Sequence, residues 1–398
     1  MQQASPPARS RTYVVGCDAK SDIRVFSGIT YHLAVQGVQD GVLNGMVNLY
    51  PRGIHAWGAY ARAGVWKLKG GFGGRSGFKF TDGFLDAVWR RNLPALKGSK
   101  VINNFQLFGS HFLRSYQRFG IEPYLYIDGT LGEYFSDYRL FDTAKIDETA
   151  IRQALIIERE GFAGSHKIVV MSKRSADYIV RHYSVSQQKI RVLPPGANIP
   201  EHLLVSRDNR PEQCLRAHRS GLTVGFVGLY PERKGLPTIA EGVQLLRRAG
   251  YDVRLHVVGK CPPEISRGDG VTHFGVIDKT ADIERFVEIV GNIDVGCMLS
   301  RAETAGIALL EFLRMGIPVI ATDVGGIPDI VKLGAGHLVS PEIRASDLAE
   351  HFARLLDKPE RLAELQESAW RRRQNASWRR VVRELKGVLD QPSDRGHA

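Results

Sequence analysis

The second half of the chain alternates apolar runs typical of strands with longer stretches of helical period, and this limits the fold more than any other feature. The predicted strands are TVGFVGLY, VRLHVVGK, VTHFGVI, DVGCMLS, PVIATDV and GHLVS. Helices that separate successive strands are the sequence form of a parallel sheet covered by helices. Residues 221–372 therefore predict an α/β domain with a doubly wound sheet.

The first half repeats this alternation less regularly. Its predicted strands are TYVVGC, GMVNLY, KVINNF, PYLYID, KIVVMS and KIRVLPP, with helices over 28–41, 81–98 and 173–185. At 398 residues the chain has room for about two domains. We interpret 1–11 as a disordered leader, 12–197 as an N-terminal Rossmann-like domain, 198–220 as a linker, 373–390 as a C-terminal helix packing back on the body and 391–398 as a tail. Two such domains imply a ligand cleft between them.

The charge balance favours an anionic partner. Lys and Arg number 54 against 42 Asp and Glu, which gives a formal net charge of +12. Nucleotide sugars, anionic lipid surfaces and nucleic acid all meet this requirement. Nucleic acid is disfavoured because the arginines cluster without an aromatic stacking platform. The sequence shows no secretion signal and no apolar run of about 18 residues, so we expect a cytoplasmic protein, with peripheral contact to the inner membrane face left open.

The segment SRAETAGIALLEFLRMGIPVIATDVGGIPDIV, residues 300–331, carries most of the functional information. It places Glu303 in a turn after a strand and Glu311 inside the following helix. Gly306 lets backbone approach a ligand, and the amides of a helix N-terminus attract phosphate. Carboxylates can accept hydrogen bonds from hydroxyl groups beside an anion site. This combination suits a ligand that contains both phosphate and several hydroxyl groups, namely a sugar nucleotide. The alternative is an ordinary βαβ unit with two solvated glutamates.

A second loop supplies cations. In FVGLYPERKG, Arg233 and Lys234 follow the first strand of the second half. A guanidinium and an ammonium offset the charge of a departing diphosphate. The chain has no HExxH, no paired CxxC and no Asp-x-Asp, so we expect neither a metal nor another cofactor. GGFGGRSG, residues 70–77, fails the spacing of known phosphate loops and is interpreted as a mobile loop, or as a flap at the cleft.

With these motifs the chain resembles the retaining group one (family four) glycosyltransferases. The resemblance implies the GT-B fold, two Rossmann-like domains facing each other across a cleft. It implies that Glu303 lies at the donor sugar, that Glu311 binds the ribose diol, and that Arg233 and Lys234 hold the diphosphate. FSGITYHLAVQG and HFGVI resemble the family's first loop and base-side strand. The further donor-binding residues implied are Gly28, Val276, Thr304, Ala305, Gly306 and Ile307.

Three positions depart from the family pattern. Leu229 stands where members often have arginine, and Ala305 stands where phenylalanine is common. In place of the N-terminal-domain histidine, PYLYIDGTLGEYF offers Asp128, which is a candidate catalytic residue or a plain turn or helix-capping residue.

The predicted function is metal-independent transfer of a sugar from a nucleotide-sugar donor to an acceptor hydroxyl, with retention implied by the resemblance. The acceptor is a sugar, a lipid-linked molecule or another hydroxyl compound, as in polysaccharide or glycolipid assembly. A sugar-nucleotide epimerase of the same fold and a noncatalytic sugar-nucleotide-binding protein stay open as alternatives. Basic and aromatic residues of the first half either meet a membrane or form a solvated surface. They are Trp66, Lys67, Lys69, Arg75, Lys79, Trp89, Arg90 and Arg91.

Overall fold

The chain folds into two compact units. A computed structural model describes residues 11–17, 25–50, 54–68, 77–136, 146–205 and 221–391. One unit comprises Met1–Leu193 with Val381–Ala398, and the other comprises Pro194–Arg380. Each contains a six-stranded sheet in which all neighbouring strands run parallel, and helices accompany both sheets. The predicted α/β class with two Rossmann-like sheets is confirmed.

The sheet of the first unit has the strand order β2-β1-β3-β4-β5-β6. Its strands are β1 (Arg11–Gly16), β2 (Gly45–Asn48), β3 (Ser99–Asn103), β4 (Glu122–Ile127), β5 (Lys167–Val170) and β6 (Ile190–Val192). The accompanying helices are α1 (Ile29–Gln39), α2 (Ile54–Leu68), α3 (Asp82–Asn92), α4 (Ser110–Ser115), α5 (Leu131–Phe135), α6 (Glu148–Gly164) and α7 (Lys173–Tyr183).

The sheet of the second unit has the order β12-β11-β10-β7-β8-β9. Its strands are β7 (Leu222–Gly228), β8 (Val253–Gly259), β9 (Val271–His273), β10 (Val295–Met298), β11 (Val319–Thr322) and β12 (Gly336–Val339). The helices are α8 (His202–Val205), α9 (Leu236–Arg248), α10 (Pro263–Ser266), α11 (Ile283–Val290), α12 (Ile307–Arg314), α13 (Ile327–Val331), α14 (Ala345–Leu356), α15 (Pro359–Arg372) and the start of α16 (Trp378–Leu389).

Helix α6 was not predicted, although it has 17 residues. Its buried positions follow helical spacing, but they include small residues and the carboxylate residue Glu158, while Ile156 on the other face is 59% exposed. The buried face therefore lacks the apolar contrast on which periodicity depends. Its start is nevertheless well marked, because the Asp147 side chain accepts a hydrogen bond from the amide of Ala150 at 3.1 Å.

Two expectations about the first half and the base-side strand are wrong. Trp89 cannot belong to a membrane-facing surface, because it is fully buried and its Nε1 donates to the carbonyl of Leu107 at 3.0 Å. The predicted strand HFGVI ends after His273, because Gly275 has a φ of 74°, a left-handed conformation that does not continue a strand. Val276 therefore lies in a loop and is 61% exposed.

The predicted C-terminal helix is present as α16, and its apolar stripe is buried. Trp378, Val381, Val382 and Leu385 are each at most 4% exposed. The Nε1 atom of Trp378 donates to the side-chain oxygen of Asn198 at 3.1 Å. In the described part of the chain, no helix is both long and apolar enough to cross a membrane. The GGFGGRSG segment apart from Gly77, and residues 206–220 of the predicted linker, lie outside the described residues.

Candidate functional site

The site predicted from the second half is assembled from loops that follow adjacent strands β7 and β10. Arg233 and Lys234 lie in the first loop, and Glu303 lies in the second. The backbone joins the two loops directly. The amide of Leu299 donates to the carbonyl of Lys234, and the amide of Arg301 donates to that of Arg233, each at 3.0 Å. Both loops therefore keep their charged side chains at the same carboxyl edge of the sheet, where parallel α/β sheets bind ligands.

The Glu303 carboxylate forms ion pairs with both Arg233 and Lys234. Its Oε2 atom lies 3.4 Å from Nη1 of Arg233 and 3.7 Å from Nζ of Lys234. The side chains of Lys234 and Glu303 are each 13% exposed, and that of Arg233 is 30% exposed. Arg233 also donates to the carbonyl of Ala302, and its guanidinium lies 5.4 Å from the ring centroid of Tyr230. The cations are thus held in fixed positions rather than spread over the surface.

The burial of Lys234 disfavours the charged form of its side chain. Desolvation lowers the pKa of the Lys234 ammonium, and the positive charge of Arg233 acts in the same direction, while Glu303 opposes the shift. Gly228 makes room for the lysine stem, because a Cβ atom at Gly228 would lie 2.8 Å from Cδ of Lys234. A desolvated ammonium beside a second cation is a good partner for a polyanion that enters the site.

Glycines begin the helices at this edge. Gly235 precedes α9 with a φ of 74°, and Gly306 precedes α12 with a φ of 50°, and neither helix has a side-chain cap. A residue with a side chain at these φ values would be strained. The helix N-termini therefore present backbone amides and the positive end of the helix dipole without a competing side chain. The carbonyl of Glu303 accepts from the amide of Gly326 at 3.2 Å, which joins the loop after β11 to the site.

Glu311 lies in α12, and the structure brings to it a residue that sequence reasoning missed. The carboxylate residue is 1% exposed, and its Oε1 atom accepts from Nζ of Lys279 at 2.5 Å. Lys279 lies between β9 and α11, 32 positions before Glu311 in the sequence. Because no spacing pattern connects two residues so far apart, only the tertiary structure could reveal this pair.

The remaining predicted donor-binding residues differ in their surroundings. Thr304 and Ala305 are buried, at 8% and 6% exposure, next to Glu303. Ile307 is half-buried in the first position of α12. Leu229, where the family often has arginine, is 48% exposed and contributes no charge. The roles implied for these residues stay predictions.

In the first unit, two predicted residues lie at the carboxyl edge of the other sheet. Gly28, with a φ of 79°, immediately precedes α1, which also lacks a side-chain cap. Asp128 follows β4, and its Oδ1 accepts a hydrogen bond from the hydroxyl of Tyr134. Thr130 caps α5 through a capping box with Glu133, so Asp128 is not the cap of that helix. The catalytic role suggested for Asp128 stays a prediction.

The first unit also buries the carboxyl groups of Glu133 and Glu158, which the sequence did not predict as site residues. Burial raises the pKa of Glu133 and that of Glu158 to about 7 in each case, although hydrogen bonds oppose the shift. Glu133 accepts from the amide of Thr130 and the hydroxyl of Ser175, at 2.9 and 3.1 Å. Glu158 accepts from Gln106, the amide of Leu131 and the hydroxyl of Tyr183.

Comparisons with known proteins agree with this geometry. Residues 221–358 match the family described as "Glycosyl transferases group 1". A D-inositol 3-phosphate glycosyltransferase of Rhodococcus opacus is 28% identical over 243 residues, which are 58% of this chain and 54% of the relative. The chain thus spans about half the length of the curated relatives it matches.

Solved structures extend the similarity of fold over nearly the whole chain. A sucrose-phosphate synthase from Thermosynechococcus elongatus has a TM-score of 0.62 at 18% identity, covering 96% of this chain and 98% of that chain. Anabaena Alr3699/HepE, solved in complex with UDP-glucose, has a TM-score of 0.60 at 12% identity, covering 95% and 99% of the two chains. Residues 221–358 are therefore a domain of the group 1 glycosyltransferase family, and the chain, with its two parallel sheets, has the GT-B fold.

Proposed function

We propose that the protein transfers a glycosyl group from a nucleotide-sugar donor to an acceptor hydroxyl, with retention of anomeric configuration and without a metal ion. One observation carries the proposal. The side chains of Arg233 and Lys234 both lie against the Glu303 carboxylate. The loop that carries Glu303 leads into α12, which begins after a glycine and bears Glu311. Two cations and a helix N-terminus suit a diphosphate, and two carboxylates suit sugar and ribose hydroxyls.

The chemistry requires that charge on the leaving group be stabilised. The bond between the anomeric carbon and the diphosphate oxygen breaks, and the acceptor oxygen forms the new bond on the same face of the sugar. The acceptor proton passes to the departing phosphate oxygen. Arg233 and Lys234 bind the negative charge that grows on the diphosphate, which is the task a divalent cation performs in metal-dependent enzymes.

The names and complexes of relatives support this assignment. The Rhodococcus opacus relative is named a glycosyltransferase, and the Anabaena protein was solved with UDP-glucose. The donor is therefore sought among nucleotide sugars, beginning with UDP-sugars.

The proposal is tested by incubating the purified protein with UDP-, GDP- and ADP-sugars, with and without EDTA, against a panel of sugar and lipid-linked acceptors. Product formation that EDTA leaves unchanged is the expected result, and NMR of the product gives its anomeric configuration. Isomerisation of the donor in the absence of acceptor would identify an epimerase instead. Donor binding without turnover across the panel would indicate a noncatalytic binding protein.

For the acceptor, we propose a lipid-linked molecule reached through contact with an anionic membrane. Helix α2 carries Trp57, Val65 and Leu68 at 77%, 53% and 80% exposure. Their spacing places them on one face of the helix together with Ala61. An exposed apolar face of this kind on a chain with a net charge of +12 suits an anionic lipid surface.

A vesicle experiment tests the membrane contact. The wild-type protein should sediment with phosphatidylglycerol vesicles more than with phosphatidylcholine vesicles, and Trp57→Ser combined with Leu68→Ser should reduce this binding. Equal sedimentation of the double variant would refute the role of α2. Activity on a water-soluble acceptor serves as the control, because these substitutions leave the charged site intact.

A further inference from the structure

Lys279 is placed with more constraint than an ordinary loop lysine. The preceding residue, Asp278, accepts from the amide of Thr280 at 3.0 Å and from its hydroxyl at 2.5 Å. The amide of Asp282 donates to the carbonyl of Asp278 at 2.9 Å, which completes a compact turn before α11. A turn closed by its own hydrogen bonds fixes the direction in which Lys279 leaves the backbone.

Two contacts then define where the Lys279 ammonium lies. Its Nζ atom donates to Oε1 of Glu311 at 2.5 Å and lies 3.9 Å from the ring centroid of Phe286 in α11. The lysine side chain is 26% exposed, and that of Glu311 is 2% exposed. The ammonium therefore stands between solvent and a buried carboxylate, and the aromatic ring supports it from one side.

A carboxylate as buried as that of Glu311 is stabilised by a paired cation, because burial removes it from water. Lys279 supplies this cation, and it belongs to a larger arrangement of charge. Lys279 and Glu311 both act electrostatically on Lys234, together with Glu303 and Arg233. Three cations and two carboxylates are thus close enough to influence one another before any ligand is bound.

We propose that Lys279 is a ribose-positioning residue, whose ammonium holds the Glu311 carboxylate in place through Oε1 so that Oε2 can accept hydrogen bonds from the ribose of a nucleotide. This inference rests on the proposed function, in which Glu311 binds the donor ribose. Lys279 acts through Glu311 and not through the phosphates. Its removal should therefore weaken only those ligands that use the ribose hydroxyls.

The test is a set of calorimetric titrations. The probe is whichever of UDP, ADP and GDP binds the wild-type protein, together with its 2′,3′-dideoxy counterpart. Lys279→Met should lower the affinity for the intact nucleotide about tenfold, as expected for the loss of a charge-assisted hydrogen bond that orders the ribose acceptor. The same substitution should change affinity for the dideoxy nucleotide, or affinity in a Glu311→Gln background, by less than about twofold.

Matched variants separate this role from a structural one. Lys358→Met removes an exposed lysine of the same unit and should leave affinity unchanged. Lys279→Arg keeps a cation and should recover most of the affinity. Thermal unfolding of each unliganded variant sets a temperature at which all are folded, and Lys279→Gln replaces the methionine variant if that protein is unstable.

The outcomes are distinct. Equal losses for the intact and dideoxy nucleotides would overturn the inference and indicate direct contact of Lys279 with phosphate. An unchanged affinity of folded Lys279→Met and Lys279→Gln would overturn it as well. If the wild-type protein binds none of the three nucleotides, the proposed function itself fails. Coupling between Lys279, Glu311 and the ribose hydroxyls would support the inference.

Discussion

Replacing Lys234 with methionine should separate function from stability. The ammonium is desolvated and lies next to Arg233, and both effects lower its pKa, so the unliganded fold holds this charge at a cost. Glu303 keeps Arg233 at 3.4 Å after the substitution, so it is not left as an uncompensated buried charge. Removing one partner of a buried ion pair is costly when it leaves the other charge uncompensated, and the remaining Arg233 contact avoids that cost here. We expect the free energy of unfolding to stay the same or rise by up to about 1 kcal/mol.

The same Lys234→Met substitution should weaken ligand binding and slow turnover. The loss of one charge-assisted contact to a diphosphate costs about 1.5–3 kcal/mol, or roughly 10- to 150-fold in affinity. Turnover should fall by about 100-fold or more, because the charge on the leaving diphosphate grows in the transition state. Scanning calorimetry of the unliganded protein and titration with a nucleoside diphosphate measure the two effects. A lowered melting temperature with unchanged nucleotide affinity would show that Lys234 has a structural role and would refute the reasoning.

Three further predictions concern single residues. Gly228→Ala should lower nucleotide affinity about tenfold, because its Cβ would displace the Lys234 stem; unchanged titrations would contradict this. Glu311→Ala should weaken donor binding, and a normal calorimetric affinity would refute its assignment. Burial raises the pKa of Glu133 from 4.5 to about 7, so its contribution to stability is present below pH 4.5 and is lost as pH rises to about 7. Glu133→Gln should therefore gain about 2 kcal/mol more over wild type at pH 8 than at pH 4.5; equal melting-temperature differences at the two pH values would contradict this.

The repeated strand-helix alternation was sufficient to predict both sheets, because buried parallel strands read as apolar runs with helices between them. Prediction failed where that contrast is weak. Helix α6 buries Ala, Gly and Glu158, and Trp89 lies among charged neighbours although it is fully buried. Burial depends on what packs against a residue, which local sequence does not show.

The sequence by itself determined the chemistry available in the second unit: two cations after one strand, a carboxylate after another, and a glycine before the helix that bears Glu311. These are local patterns, readable because a turn and a helix start impose their own residue preferences. Only the tertiary structure decided which charges meet. It placed both cations on Glu303, desolvated Lys234, and paired Glu311 with Lys279 across 32 residues of chain. Such pairings follow from the order of strands in the sheet, and strand order is a property of the whole fold.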